Sequence, residues 1–228
     1  TDSVTTGTAI SAWTDKSLTS ATVNQTTIDN QPTRQADSFG SKPSIRFDGT
    51  NDFLNISSLS ADNGAYSVYA AVRRADQSGD NSGYLVGASD WHLMPSSSNA
   101  PFPSIVAVKK GTSGTLTNLK IGKSTSSTTN DFGGDLGELL IFTRQLTSTE
   151  EQKVQGYLAH KWGLANGLMG GHTYKMNRPS FGGAQTLSFE PFSMITIGQS
   201  TTPAVTSDSG LSSFFFDSKH FSITSFLV

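Results

Sequence analysis

The chain contains no cysteine, so disulfides and thiolate metal centres are excluded at the outset. Charge is also scarce: Asp, Glu, Lys and Arg make up 15% of the residues and leave a net charge of −2. So balanced a surface offers nothing basic to nucleic acid. No apolar run approaches the ~18 residues of a membrane-spanning helix, and no positively charged start followed by an apolar segment marks a secretion signal. The first residue is Thr1 rather than Met, as expected of a processed product or a piece of a longer protein. Gly-x-Ser-x-Gly, a Walker loop, a dinucleotide fingerprint and a His-Glu-x-x-His pair are all missing.

What fills the sequence is Ser, Thr, Asn and Gly, clustered between short apolar runs in the manner of an all-β chain. At 228 residues it is long enough to bury a core without covalent staples. Tyr66, Val68, Ala70 and Val72 alternate with Ser67, Tyr69, Ala71 and Arg73, a period of two that predicts a strand. Residues 84–88, 105–108 and 116–121 predict further strands, and residues 45–47 and 53–56, joined across Gly49, predict a hairpin. The polar stretch that follows Ser17, up to about Gln35, reads as loop with at most one edge strand.

The most informative segment runs from Gly134 to Gly163. Leu136, Glu138, Leu140 and Phe142 alternate with Gly137, Leu139 and Ile141, and from Leu139 onward both faces are apolar, as in a strand covered on each side. A helix follows. Ser148 is its expected N-cap, with Glu151 closing a capping box. Val154, Tyr157, Leu158 and Trp162 line one face, and Gly163 supplies the stop.

Three segments carry a family likeness: Trp13-Thr14-Asp15-Lys16-Ser17, Lys42-Pro43-Ser44-Ile45-Arg46-Phe47-Asp48-Gly49 with Asp52 after it, and Gly134-Asp135-Leu136-Gly137-Glu138 through Gly156-Tyr157-Leu158-Ala159-His160-Lys161-Trp162-Gly163. In this order and spacing the chain resembles the laminin-G-like branch of the concanavalin A-like lectin/glucanase superfamily, in the form found in secreted bacterial and viral proteins. The resemblance implies an all-β fold, a two-sheet antiparallel jelly-roll sandwich with one short helix, over residues 1–179. The chain departs from the family at Leu18-Thr19-Ser20, where a glycine- and asparagine-rich turn is usual, and between Val108 and Leu116, where a strand or hairpin is missing or shortened.

Residues 180–228 form a β-rich extension outside the resemblance, dominated by Phe and Ser, with strands predicted at 193–197 and 221–227. Phe214-Phe215-Phe216, Phe221 and Phe226 make it too aromatic for a free linker, so it is expected to be a docking or assembly element.

The superfamily includes glucanases, which need two carboxylates flanking the scissile bond. Glu138, Glu150, Glu151 and Glu190 have no such spacing, so no catalytic residue is assigned and Glu138 is read as a structural carboxylate bonding neighbouring backbone. His92, His160, His172 and His220 are scattered, as packing or surface residues are. Asp48, Asn51 and Asp52 cluster in a turn, with Asp135 opening the long strand. Such oxygens either hold a calcium ion at a loop edge or cap their own backbone. Asp90, Trp91 and His92 are candidates for a glycan contact, because an exposed indole can stack on a sugar while its neighbours bond hydroxyls. The other reading has Trp91 plugging the sandwich edge, whereas Trp13 and Trp162 are expected in the core.

The function expected from these features is that of a non-catalytic recognition or adhesion module of an extracellular bacterial or viral surface protein. Its partner would be a carbohydrate or a protein surface. The alternative is a structural subunit, a virion decoration or fibre protein or part of a cell-surface appendage, that assembles with copies of itself or other subunits through sandwich and tail.

Overall fold

The computed structural model describes residues 6–16, 21–39, 41–56, 59, 64–75, 83–88, 91–95, 103–111, 116–125, 131–180 and 213–217. The strands, in chain order, are β1 (Ala12–Thr14), β2 (Thr22–Asn24), β3 (Thr33–Gln35), β4 (Ser44–Asp48), β5 (Leu54–Ile56) and β6 (Tyr66–Arg74). They continue as β7 (Val86–Gly87), β8 (His92–Leu93), β9 (Ser104–Lys110), β10 (Lys120–Ile121), β11 (Gly133–Phe142) and β12 (Ser213–Asp217), and one α-helix, α1 (Ser148–Trp162), follows β11. Two antiparallel sheets result. One has the order β3-β4-β11-β6-β9, with β12 added beside β11; the other has the order β1-β2-β5-β10-β7-β8. Among the described residues no helix is long and apolar enough to cross a membrane.

Alternation along each strand sends one set of side chains between the sheets. Phe47, Val68, Val72, Leu139 and Ile141 from the first sheet meet Trp13, Val23, Leu54, Ile121 and Leu93 from the second in one continuous core. Trp13 is buried there, as its sequence context predicts. The two longest strands, β6 and β11, pair side by side and are buried on both faces, because α1 covers the outer side of their sheet. Phe39, Tyr69, Leu140, Phe142, Leu158 and Trp162 form that second apolar layer.

Several local expectations are corrected. The polar stretch before Gln35 contains two short strands, β2 and β3, which belong to different sheets. Residues 45–47 and 53–56 do not form a hairpin: β4 pairs with β3 and β11, whereas β5 pairs with β2 and β10 in the opposite sheet. The turn between them carries the chain from one layer to the other. In β11 a bulge at Gly137 shifts the alternation, so Leu136 faces the inter-sheet core with Leu139 and Ile141, while Asp135 and Glu138 share the outer side. The helix starts one residue earlier than expected. Thr147 is the N-cap, and its hydroxyl accepts from the Glu150 N–H while the Glu150 carboxylate accepts from the Thr147 N–H. Gly163 ends the helix in the left-handed conformation, at φ 72°. The strands predicted at 193–197 and 221–227 lie outside the described residues.

Candidate functional site

On the covered sheet, the polar residues are spent on holding the structure. Asp135, 1% exposed, lies between Arg46 on β4 and Arg73 on β6. Arg46 donates through Nε at 2.9 Å and Nη2 at 3.0 Å, and Arg73 through Nη2 at 2.6 Å and Nε at 3.0 Å. The Arg46 guanidinium is held above its ordinary pKa by its hydrogen bond to Asp135. Three strands are thereby cross-linked on their outer side by charge-assisted bonds.

Glu138, also 1% exposed, faces α1. Trp162 Nε1 donates to one carboxylate oxygen at 2.7 Å, while the Tyr157 hydroxyl at 2.9 Å and Lys161 Nζ at 3.1 Å donate to the other. The carboxylate latches helix to strand. Gly137 makes the latch possible: a Cβ there would come within 2.8 Å of the Trp162 ring.

The second sheet is different. Its register aligns Ala12, Asn24, Asn55, Lys120, Gly87 and His92 in one lateral row. The alternate residues Trp13, Val23, Leu54, Ile56, Ile121 and Val86 are in the core, so the row lies on the outward face. Asn24 and His92 are exposed, and Asn55 and Lys120 half-buried. Gly87 leaves a gap in the row, into which the backbone of Lys123 and Ser124 packs: a Cβ on Gly87 would meet the Lys123 carbonyl oxygen at 2.8 Å.

Phe53, immediately before β5, alternates with Leu54 onto the same outward face. Its half-buried ring is approached by Lys120 Nζ at 4.9 Å and Lys123 Nζ at 5.7 Å from the centroid, and Lys123 is further paired with Asp131 at 2.6 Å. Amides, an ammonium and an aromatic ring thus share one surface, a combination suited to hydroxyl-rich ligands. Individual strand sequences do show the outward polar positions, as in Leu54-Asn55-Ile56. The pairing that assembles them is long-range, Asn55 with Lys120 and Asn24 with Asn55, and no local signal reports it.

Of the residues nominated from sequence, His92 lies at the far end of this row, its ring edge-on to Tyr84 at 4.4 Å between centroids. Trp91 is not exposed. At 8% exposure its ring is stacked on Tyr66 at 4.5 Å in the core, so the open indole face proposed for sugar stacking does not exist. Asp90 lies outside the described residues. His160 Nε2 donates to the Tyr174 carbonyl at 2.8 Å. His172 accepts the Tyr174 N–H through Nδ1 at 3.1 Å, and burial lowers its pKa.

Asp48, Asn51 and Asp52 adjoin the row through Phe53. Asp48 Oδ1 accepts from the N–H groups of Thr50 at 2.8 Å, Asn51 at 3.1 Å and Asp52 at 3.3 Å. Asp52 Oδ2 returns the favour by accepting from the Asp48 N–H at 2.9 Å. These bonds cap the turn with its own side chains. Burial and the nearby Asp48 charge push the Asp52 carboxyl up to about 6. Among the described residues no group of three His, Cys, Asp or Glu side chains is gathered to hold a metal ion. Comparison with models of known families, with characterised proteins and with solved structures gives no match for this chain.

Proposed function

We propose that this chain is a non-catalytic recognition module with a laminin-G-like jelly-roll sandwich, part of an extracellular bacterial or viral surface protein, and that it binds carbohydrate on the outward face of its second sheet. The single observation behind this reading is the lateral row of Asn24, Asn55, Lys120 and His92 beside the half-buried ring of Phe53. Asparagine amides both donate and accept, as sugar hydroxyls do, and a ring edge or face packs on sugar C–H groups. The order of the sequence motifs in residues 10–175 supports the family, and the family supports the class of ligand.

The test is a glycan microarray probed with the full chain and with variants Asn55→Ala and Lys120→Ala. Binding to a defined glycan class that falls at least tenfold in either variant supports the reading. Binding that neither variant changes, or no binding to any glycan, removes it.

A further inference from the structure

The two edges of β11 are served differently. β6 accompanies one edge along its length, from Gly134 to Phe142. On the other edge β4 pairs only with Gly133 to Leu136, and its pairing ends where the Gly137 bulge begins. Residues 138–142 would be left with an open edge. β12 occupies it, antiparallel, in a register that runs from Glu138 opposite Asp217 to Phe142 opposite Ser213. All five β11 residues there are buried. Unpaired N–H and C=O groups at such a place are costly, so the notch requires a strand.

The strand that fills the notch comes from far along the chain. Residues 181–212 separate it from the segment that ends at Ser180, and a connection of that length can span up to about 100 Å when extended. We propose that the notch is a strand-acceptor site and that the Ser213–Asp217 strand of a second copy of this chain occupies it, so that copies join by exchanging β12. A strand delivered by a neighbour makes the same ladder in the same register, so exchange conserves its contacts. The balance is then set by concentration. A connection of this length allows an effective concentration on the order of millimolar, so exchange is expected as the chain concentration approaches that range.

The inference does not depend on the glycan reading, because the acceptor notch and the polar row are on different sheets. If both hold, exchange leaves each polar row outward and multiplies weak contacts into avidity.

The absence of native cysteine makes a direct test available. Phe142 and Ser213 face each other in register, at a separation a disulfide can bridge. Full-length chains carrying only Phe142→Cys are mixed with chains carrying only Ser213→Cys and oxidised gently. The expected product is a linked pair of unlike chains whose yield rises with concentration. In parallel, sedimentation of the unsubstituted chain should show mass increasing with concentration, and Phe216→Pro, which removes a ladder N–H opposite Leu139, should abolish the increase. A chain that stays monomeric at every concentration overturns the proposal, and so does a cross-link that forms only when both cysteines are in one chain. If the cysteine variants fail to fold, the sedimentation comparison decides alone.

Discussion

Beneath α1, the outer side of the β3-β4-β11-β6-β9 sheet carries Tyr69, Ala71, Leu140 and Phe142, whereas the outer side of the β1-β2-β5-β10-β7-β8 sheet carries Asn24, Asn55, Lys120 and His92. The strands differ in the same sense. β6 and β11 are long and apolar on both faces, while the strands of the second sheet are two or three residues each and alternate in the ordinary way. Where the first sheet uses polar residues outward, they are consumed internally: Asp135 by two arginines and Glu138 by three side chains of the helix. The second sheet leaves amides and a lysine at the surface. Buried polar bonds are concentrated on one side of the sandwich and exposed chemical variety on the other.

The largest break in that contrast should come from Glu138→Ala. It leaves the Trp162 N–H and the Lys161 ammonium without their buried acceptor, and such a loss costs about 3–5 kcal/mol. Asn24→Ala and Asn55→Ala on the open face should each stay within ~0.5 kcal/mol. Urea unfolding of the three variants measures the asymmetry directly. Comparable penalties on both sides would mean that the second sheet is covered as well.

Gly137→Ala sharpens the same point at smaller cost. The added methyl would sit 2.8–2.9 Å from three atoms of the Trp162 ring, itself buried between Glu138 and Phe39. Overpacking of this kind costs about 1–3 kcal/mol. Combining it with Trp162→Phe should recover part of the loss, since the smaller ring makes room. Strict additivity in the double variant would show that the two positions do not touch.

Much of the covered side was legible in the sequence, and little of the open side was. The both-faces-apolar run from Leu139 and the i, i+3, i+4 spacing of Val154, Tyr157 and Leu158 are local patterns, and each predicts its element correctly. Gly137 inside the strand is the available sign of the bulge, which simple alternation from Leu136 to Phe142 passes over. The polar row was invisible for a different reason. Asn24, Asn55, Lys120 and His92 come from four separate strands, and only the register of four ladders makes them neighbours. Trp91 misled because a short strand flanked by polar residues looks like a loop, although its ring is in the core against Tyr66.

The start of α1 gives the next effect in size. Thr147→Ala should cost about 1 kcal/mol through the lost cap, and Ser148→Ala, one position on, no more than ~0.5 kcal/mol. If the order were reversed in thermal melts, the helix would begin where the sequence first suggested. The box is also pH-dependent. Hydrogen bonds from Arg144 above all, helped by Thr147, hold the Glu150 carboxyl down at about 2, against an ordinary 4.5. A depressed carboxyl stabilises the fold above its unfolded pKa, so this contribution is intact above pH 4.5 and is lost as pH falls toward 2. In Glu150→Gln the melting temperature should lose that part of its acid dependence.

The smallest expected effect is a change of slope with the opposite sign, in the turn that leads to the open face. Burial and the Asp48 charge raise the Asp52 carboxyl from 3.8 to about 6, so between those values the folded chain binds more protons than the unfolded one. Stability from this group must therefore be highest below pH 3.8 and decline as pH rises through 6. Asp52→Asn keeps an oxygen for the Asp48 N–H but cannot ionise, and it should flatten the profile in that window while leaving the acid limb due to Glu150 in place. A calcium ion on Asp48, Asn51 and Asp52 would reverse the sign by favouring the ionised carboxylate. Because Asp48 and Asp52 already satisfy each other's backbone, the melting temperature should be the same with calcium as with chelator. A rise with calcium that Asp52→Asn removes would show instead that the turn is an ion site at the margin of the polar row.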